Sequence, residues 1–542
     1  MKTMKKYFVF AILLFLSTNI FSQTLPRPKL VVGIVVDQMR WDYLYRYYDR
    51  YGEGGFKRIL NEGFTCENTF ISHLPSFTAV GHSTVFTGSV PAIHGIVGNN
   101  WIDQQTGKMW YCTEDTIVQP VGTTSDVGRM SPRNLLATTI TDELRIATNF
   151  ESKVIGVSLK DRAAILPAGH AANGAFWFDD ESGNFVTSTW YMKELPAWVK
   201  KFNEQREPNK LMSVNWTTLY PKDTYRESTA DNEEWEGLFK GEKASVFPHH
   251  LPAIYKEDRV ALRSTPYGNT LTLDFARAAI DGNRLGMGSA TDFLTINCAS
   301  TDYVGHKFGP NSIEVEDTYY RLDKDLAAFF AYLDKKIGKG NYLVFLTADH
   351  GAANAVNFNK AHGIPASLFP SKNLLKDLNV VLQKQFGVEE LVRSGTNYHV
   401  NFNNDRIAAE HVSYDSLKAA VVKYLQAQPG VQFAVDIDHI GDAPVPEPIK
   451  SMIVNGYDRK RCGPVMIIPE PGWFEGSIRG TTHGNWNAND THIPLLFMGW
   501  GIKHGETNRE TYMTDIAPTV AALLHIQMPN GTVGKVIGEV KK

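Results

Sequence analysis

Six residues of ligand type, spread from Asp37 to His483, are the strongest chemical signal in this chain. Asp37 closes the apolar run Leu30 to Val36, and Asp302 with His306 follows the run Phe293 to Asn297. Asp349 and His350 follow Tyr342 to Thr347, and His483, in Thr481-Thr482-His483-Gly484, stands ahead of Ile493 to Met498. Three carboxylates and three imidazoles are a donor set suited to two zinc-like ions. Asp302 and His306 lie one helical turn apart, so both can reach one ion. Asp349 and His350 are adjacent and need an irregular turn to converge. Taken singly, each has an ordinary reading, since an aspartate at a strand end is commonly a turn or cap residue. The recurrence of strand followed by ligand across the whole chain is what makes the set specific.

A pair of ions needs something to activate. Thr78 follows Leu74-Pro75-Ser76-Phe77 and opens a stretch, through Phe86, that reads as a turn entering a helix. A helix start favours an anion, and a metal-bound hydroxyl becomes a nucleophile near neutral pH. The ordinary alternative is a helix N-cap. Lys160 and Arg162, in Ser158-Leu159-Lys160-Asp161-Arg162, share one face of an extended segment. There the arginine fork and the lysine charge could hold phosphoryl oxygens, or form no more than an exposed basic strand end. Asn99 or Asn100 could add an amide donor, and either also fits a turn. His73, His82 and His94 flank the Thr78 region and could support the ligands from behind, but read more simply as satisfied surface or core residues; His249-His250 reads as solvated, and His362 as outside the site.

These side chains must be positioned by the elements that precede them. Short β-branched runs read as buried parallel strands, and ligands gather at the carboxyl ends of such strands. The expected fold is therefore α/β: a doubly wound, mostly parallel central sheet flanked by helices, with inserted α+β segments. A further strand is predicted over Lys153 to Ser158, a hairpin turn over Asp179 to Asn184, and helices over Leu271 to Ile280, Ile313 to Ile337 and Ile516 to Leu524. Insertions are placed at about 175–255 and about 364–480. The first, polar and aromatic from Tyr191 to His250, reads as surface. The second carries helices Leu374 to Gln385 and Ser416 to Gln426 and strands Tyr398 to Phe402 and Val431 to Val435, with Pro444, Pro446 and Pro448 marking its edge.

At 542 residues and a formal charge of -3, the chain can bury a large core and offers no basic footprint for nucleic acid. Lys2, Lys5 and Lys6 ahead of the apolar Tyr7 to Leu16, with small Ser22 beyond, read as a secretory signal peptide over 1–22. That places the mature chain in the periplasm or outside the cell, with no stable membrane anchor, and a monomer is expected. The cysteines Cys66, Cys112, Cys298 and Cys462 fit an oxidising compartment. Cys66 with Cys112 is the favoured pairing because the two are nearest in the chain, while Cys298 reads as a buried small hydrophobe.

In order, Asp37, Thr78, Asp302…His306, Asp349-His350 and Thr482-His483-Gly484 resemble the metal and nucleophile pattern of the alkaline phosphatase superfamily. The tail Thr514 to Leu523 is similar to that superfamily's closing helix. The resemblance implies one Zn2+ on Asp302, His306 and His483, and a second on Asp37, Asp349 and His350, with Thr78 as nucleophile bridging toward the second. Lys160-x-Arg162 beside a threonine and an asparagine is similar to the PafA-type periplasmic members. This implies that Lys160, Arg162 and Asn99 contact the phosphoryl group, the lysine in place of a third metal ion. The activity so implied is hydrolysis of small-molecule phosphate monoesters through a phosphothreonine. A monoester dianion spreads charge over three oxygens and suits two cations plus this clamp better than a diester monoanion does. The alternatives are a nucleotide pyrophosphatase/phosphodiesterase and a catalytically silent metal- or phosphate-binding protein. Arylsulfatase chemistry fits poorly, because Thr78 is followed by Ala79-Val80-Gly81-His82 rather than the C/S-x-P-x-R pattern.

Overall fold

Among the residues described by the computed structural model, 25–541, eleven strands build the main sheet. They are β1 (Leu30–Val36), β2 (Phe64–Phe70), β3 (Pro120–Val121), β4 (Val154–Val157), β5 (Gly174–Asp179), β6 (Asn184–Ser188), β7 (Asp292–Cys298), β8 (Tyr342–Thr347), β9 (His492–Ile493), β10 (Leu495–Gly499) and β11 (Gly505–Tyr512). The expected signal peptide, 1–22, lies outside the described residues.

Every residue of β1, β4, β7 and β8 is buried, as parallel strands covered on both faces require. The five strands β8-β1-β7-β4-β5 run parallel in that order, and antiparallel strands flank them on both sides. The register sets Val36 of β1 opposite Cys298 of β7, and Val35 opposite Thr347 of β8. The chain therefore leaves these three neighbouring strands at almost one level, which is where their ligands begin.

Six helices matter for the site: α1 (Thr78–Thr87), α2 (Asp161–Ala168), α3 (Tyr267–Asn283), α4 (Ser300–Phe308), α5 (Ile313–Leu333) and α6 (Ile516–Leu524). α1 packs on α2 and α6, α2 lies along β4 and β5, and α3 packs on β7 and α5. All ten residues of α1 are buried. α6 has the bounds expected from its pattern. The run Ile493 to Met498 is broken into β9 and β10 at Pro494, which has no N–H for a ladder.

Several expectations need correction. The stretch from Tyr191 to His250 is not surface alone: most of it is exposed or half-buried, but Trp216 is wholly buried in the main core, and Tyr225 and Trp235 are buried too. Its polarity misled because the polar atoms of Trp216 and Tyr225 are paired inside the core. Asp317 on α5 accepts from the Trp216 indole at 2.7 Å and from the Tyr225 hydroxyl at 2.5 Å. His249 is likewise buried, held between Glu242 at 2.8 Å and Glu314 at 3.2 Å, while His250 is exposed. The segment near 364–480 does carry its own four-stranded antiparallel sheet and its own core around Leu378, Val400, Leu417 and Val421. The prolines at 444–448 lie inside it, because the strand Val465–Pro469 follows them and pairs within that sheet. All four cysteines are free and buried, so the Cys66–Cys112 bridge is absent. Cys66 belongs to the main core, whereas Cys112 sits in a separate cluster with Trp101 and Cys462, so nearness in sequence did not bring the two thiols together.

Candidate active site

Each ligand-type side chain leaves the carboxyl end of a parallel strand or a loop folded over it. Asp37 is the residue after β1, Asp302 lies in the first turn of α4 just beyond β7, and Asp349-His350 follow β8 by one residue. His483 comes from the loop ahead of β9. All of Asp37, Asp302, Asp349, His350 and His483 are buried, and His306 is part-buried. Ligand atoms of Asp302, His306 and His483 lie within 4.8 Å of one another, as do those of Asp37, Asp302 and His350. His350 Nε2 stands 3.6 Å from Asp37 Oδ1 and 3.3 Å from Asp349 Oδ2.

The three imidazoles are oriented alike. His306, His350 and His483 donate from Nδ1 to the carbonyls of Thr481 at 2.8 Å, Gly351 at 2.9 Å and Ser76 at 2.7 Å. A carbonyl only accepts, so each ring carries a proton on Nδ1 and turns Nε2 toward the site, the orientation in which metal-binding histidines are held. The His350 and His483 rings stack at 3.4 Å. Burial pushes the His350 ring down to about 3 and depresses His483 as well, leaving both neutral at neutral pH.

The carboxylates are unequal. Burial alone would raise the Asp302 carboxyl, but His306 and Lys160 beside it hold it well below the usual range. Burial raises Asp37 despite the opposing pull of Lys160, and burial with the neighbouring Asp37 raises Asp349 strongly. Asp37 Oδ1 and Asp349 Oδ2 are buried without a hydrogen-bond partner. Two orphaned carboxylate oxygens facing imidazole lone pairs lack cations, and a hard or borderline dication satisfies that set. The residues present therefore fit a metal centre.

Thr78 is the first residue of α1, and Phe77 occupies the cap position without a side-chain cap. The Thr78 hydroxyl is thus not an N-cap; Oγ1 lies 3.3 Å from His350 Nε2. Asn99 Oδ1 accepts from the Ala79 N–H at 3.0 Å, which leaves its NH2 group as the free end beside Thr78. Asn100 instead begins the hairpin strand Asn100–Ile102.

Lys160 and Arg162 are not an exposed strand end, nor on an extended segment. Lys160 caps α2 and Arg162 lies in its first turn. Lys160 is only 2 % exposed, and its Nζ donates to Asp37 Oδ2 at 2.9 Å and Asp302 Oδ2 at 2.6 Å. Burial would lower this lysine, but those two aspartates outweigh it and raise it. Arg162 Nη1 donates to the Tyr111 hydroxyl at 3.0 Å, Tyr111 donates to Asp161 at 2.9 Å, and Arg162 Nε is buried without an acceptor.

Several contributors escaped the sequence reading. Gln38 has a left-handed backbone, φ 63°, which for a non-glycine residue marks strain at a site. That turn lets its N–H donate to Asp349 Oδ1 at 3.2 Å while its side-chain amide donates to Asp302 Oδ1 at 2.6 Å. A Cβ at Gly305 would fall 2.0 Å from Gln38 Oε1, so a larger residue there would displace the Gln38 amide. Asn297, at the end of β7, donates to Asp37 Oδ2 at 3.2 Å. Arg263, part of no recognised pattern, donates to the Leu159 carbonyl at 3.0 Å and fixes the turn that carries Lys160. Of the histidines set aside, His94 is satisfied in the core and His362 is exposed, while buried His73 and His82 have no partners at all.

A buried cluster of carboxylates and imidazoles able to bind metal at the carboxyl ends of a doubly wound sheet, with a hydroxyl at a helix start beside it, is the arrangement of the alkaline phosphatase superfamily. Within it, the chain belongs to the type I phosphodiesterase / nucleotide pyrophosphatase family, whose profile matches residues 31–492. It is 56% identical to alkaline phosphatase PafA of Elizabethkingia meningoseptica over 96% of this chain and 95% of the relative. It is 55% identical to alkaline phosphatase PhoV of Synechococcus elongatus over 97% of this chain and 95% of the relative. The crystal structure of wild-type PafA superposes with a TM-score of 0.94, covering 96% of this chain and 100% of that one. A second PafA structure carries substitutions of a threonine, an asparagine, a lysine and an arginine. The first two and the last two of these are spaced as Thr78 is from Asn99 and Lys160 is from Arg162.

Proposed function

We propose that the chain is a periplasmic alkaline phosphatase that hydrolyses phosphate monoesters of broad range through a phosphothreonine on Thr78, releasing inorganic phosphate. Asp302, His306 and His483 would hold one zinc ion and Asp37, Asp349 and His350 the other, with Thr78 beside the second. Two such ions supply Lewis acidity and lower the pKa of an oxygen bound to them. Export through the leader 1–22 and a monomeric state belong to the same reading.

The chain's own residues divide the remaining work. Thr78 Oγ attacks phosphorus as the bond to the leaving oxygen breaks. Water then attacks the phosphothreonine, returning the hydroxyl and yielding phosphate. Thr78 begins a fully buried helix, whose positive dipole end favours incoming negative charge. Asn99 presents its NH2 group there, because Ala79 already occupies its oxygen. Arg162 brings an unpartnered buried Nε, oriented by Tyr111. Lys160 supplies a buried charge within reach of both aspartate groups.

The observation that carries the reading is the buried Lys160 with the half-buried Arg162 beside it, close to the six ligands, joined to extended identity with two alkaline phosphatases. Cationic donors that converge on one phosphoryl group favour a dianionic monoester. The family's description favours a second reading, a nucleotide pyrophosphatase/phosphodiesterase. Hydrolysis of an aryl phosphate monoester and of its methyl diester, measured before and after chelation and after zinc return, separates them. Faster monoester turnover, lost on chelation and restored by two zinc ions per chain, is expected. Faster diester turnover would establish the second reading, and no turnover of either would leave a binding protein.

A further inference from the structure

His82 is wholly buried on α1, one turn beyond Thr78, and neither of its ring nitrogens has a partner. Buried imidazoles ordinarily find one, and nearby His94 bonds through both Nδ1 and Nε2. Asp349 Oδ2 also lacks a partner and lies 3.6 Å from His82 Nε2. The other oxygen of Asp349 is already fixed by the N–H groups of Gln38 at 3.2 Å and His350 at 3.1 Å. The two unpaired groups thus face each other, roughly half an ångström beyond ordinary bonding range.

The backbone holds them in that relation. A Cβ at Gly81 would fall 2.2 Å from the Asp349 carbonyl oxygen, so α1 lies directly against the ligand loop. Asp349 Oδ2 also faces His350 Nε2 at 3.3 Å, which makes it the oxygen aimed into the metal centre.

We infer that His82 is a positioning residue, its Nε2–H holding the second lone pair of Asp349 Oδ2 so that the first is presented to the ion. The inference rests on the two-ion reading above. It ties the helix that carries the Thr78 nucleophile to a ligand of the adjacent ion, so that both move as one unit. Outer partners of ligating carboxylates ordinarily contribute 10- to 100-fold, as an order of magnitude, in metal affinity.

The test titrates zinc into the metal-stripped full chain against a chromophoric chelator, comparing wild type with His82→Phe and His82→Gln. Two binding steps are expected in wild type. In His82→Phe one step should weaken about 10- to 100-fold while the other stays unchanged. His82→Gln, which keeps a donor near the Nε2 position, should recover most of the loss. Metal-free melting temperatures that match between the two variants would show that the difference is not one of folding. Unchanged zinc binding in His82→Phe would overturn the inference, as would equal weakening in His82→Gln. Complete loss of one step in His82→Phe would make His82 a direct ligand and overturn its positioning role. A wild-type chain that bound no zinc would remove the two-ion reading and this inference with it.

Discussion

Replacing Lys160 by alanine separates the two tasks the structure gives that side chain. In the metal-free chain Lys160 Nζ is the cation shared by Asp37 and Asp302, both buried and at 2.9 and 2.6 Å. Removing one partner of a buried ion pair leaves the other uncompensated, at a cost of about 3–5 kcal/mol. Lys160→Ala should therefore lower the stability of the metal-stripped protein by roughly that amount. With zinc bound, cations on Asp37 and Asp302 would replace the lost charge, and the stability difference should shrink. Catalysis should show the other task. Loss of one preorganised donor to a transition-state oxyanion lowers turnover by about 10²- to 10³-fold. A monoester dianion should suffer that loss in full. A methyl diester carries half the charge, and its loss should be closer to about 10-fold, since Coulombic attraction scales with the charge product. Urea melts of stripped and zinc-loaded protein, with kcat/KM on both substrates, read all four quantities. Equal losses on monoester and diester would refute the assignment of Lys160 to the phosphoryl group. An unchanged metal-free stability would refute its role as the shared counter-charge.

Three further outcomes follow from the same geometry. Tyr111→Phe removes the hydroxyl that links Arg162 to Asp161, and monoester kcat/KM should fall about 10-fold, the value of one hydrogen bond to a charged group; unchanged kinetics would show that Arg162 needs no such support. Gly81→Ala places a methyl 2.2 Å from the Asp349 carbonyl oxygen, so α1 must move off the ligand loop, and both melting temperature and zinc affinity should drop. Burial alone would depress His249, but Glu242 and Glu314 outweigh it and raise it from 6.5 to about 9, while burial and Glu314 raise Glu236 from 4.5 to about 9. A raised folded-state pKa gives stability that is complete below the unfolded value and lost as pH climbs through the folded one. Melting temperature should thus decline from about pH 4.5 to 9, more steeply above about 6.5 where His249 adds to Glu236, and Glu236→Gln should remove the decline between about 4.5 and 6.5 while leaving the His249 part; a flat wild-type profile over the same range would show that neither proton is held.

Much of the site was legible in the sequence because parallel strands covered on both faces must be apolar throughout. A chemical group therefore appears where the run stops, as at Asp37, Asp302 and Asp349. The order of these stops along the chain, with Thr78 between the first two, pointed to the candidate donor set and the candidate nucleophile. Strands outside the parallel core gave no such signal: β11 is polar and largely exposed along most of its length, and β2, paired on both sides, carries Thr65, Glu67 and Thr69. Other choices depended on which distant groups meet. Asn99 rather than Asn100 faces Thr78 because the Ala79 N–H takes its oxygen. Gln38 joins two ligand groups only through a left-handed turn, and nothing about a glutamine after a strand announces one. Cys66 and Cys112 stay apart, and the Trp216 segment is core, because partners such as Asp317 lie about a hundred residues away. Burial on two faces leaves a local, one-dimensional trace in the amino-acid order. The pairing of polar groups across the fold leaves none, and tertiary structure alone decided it.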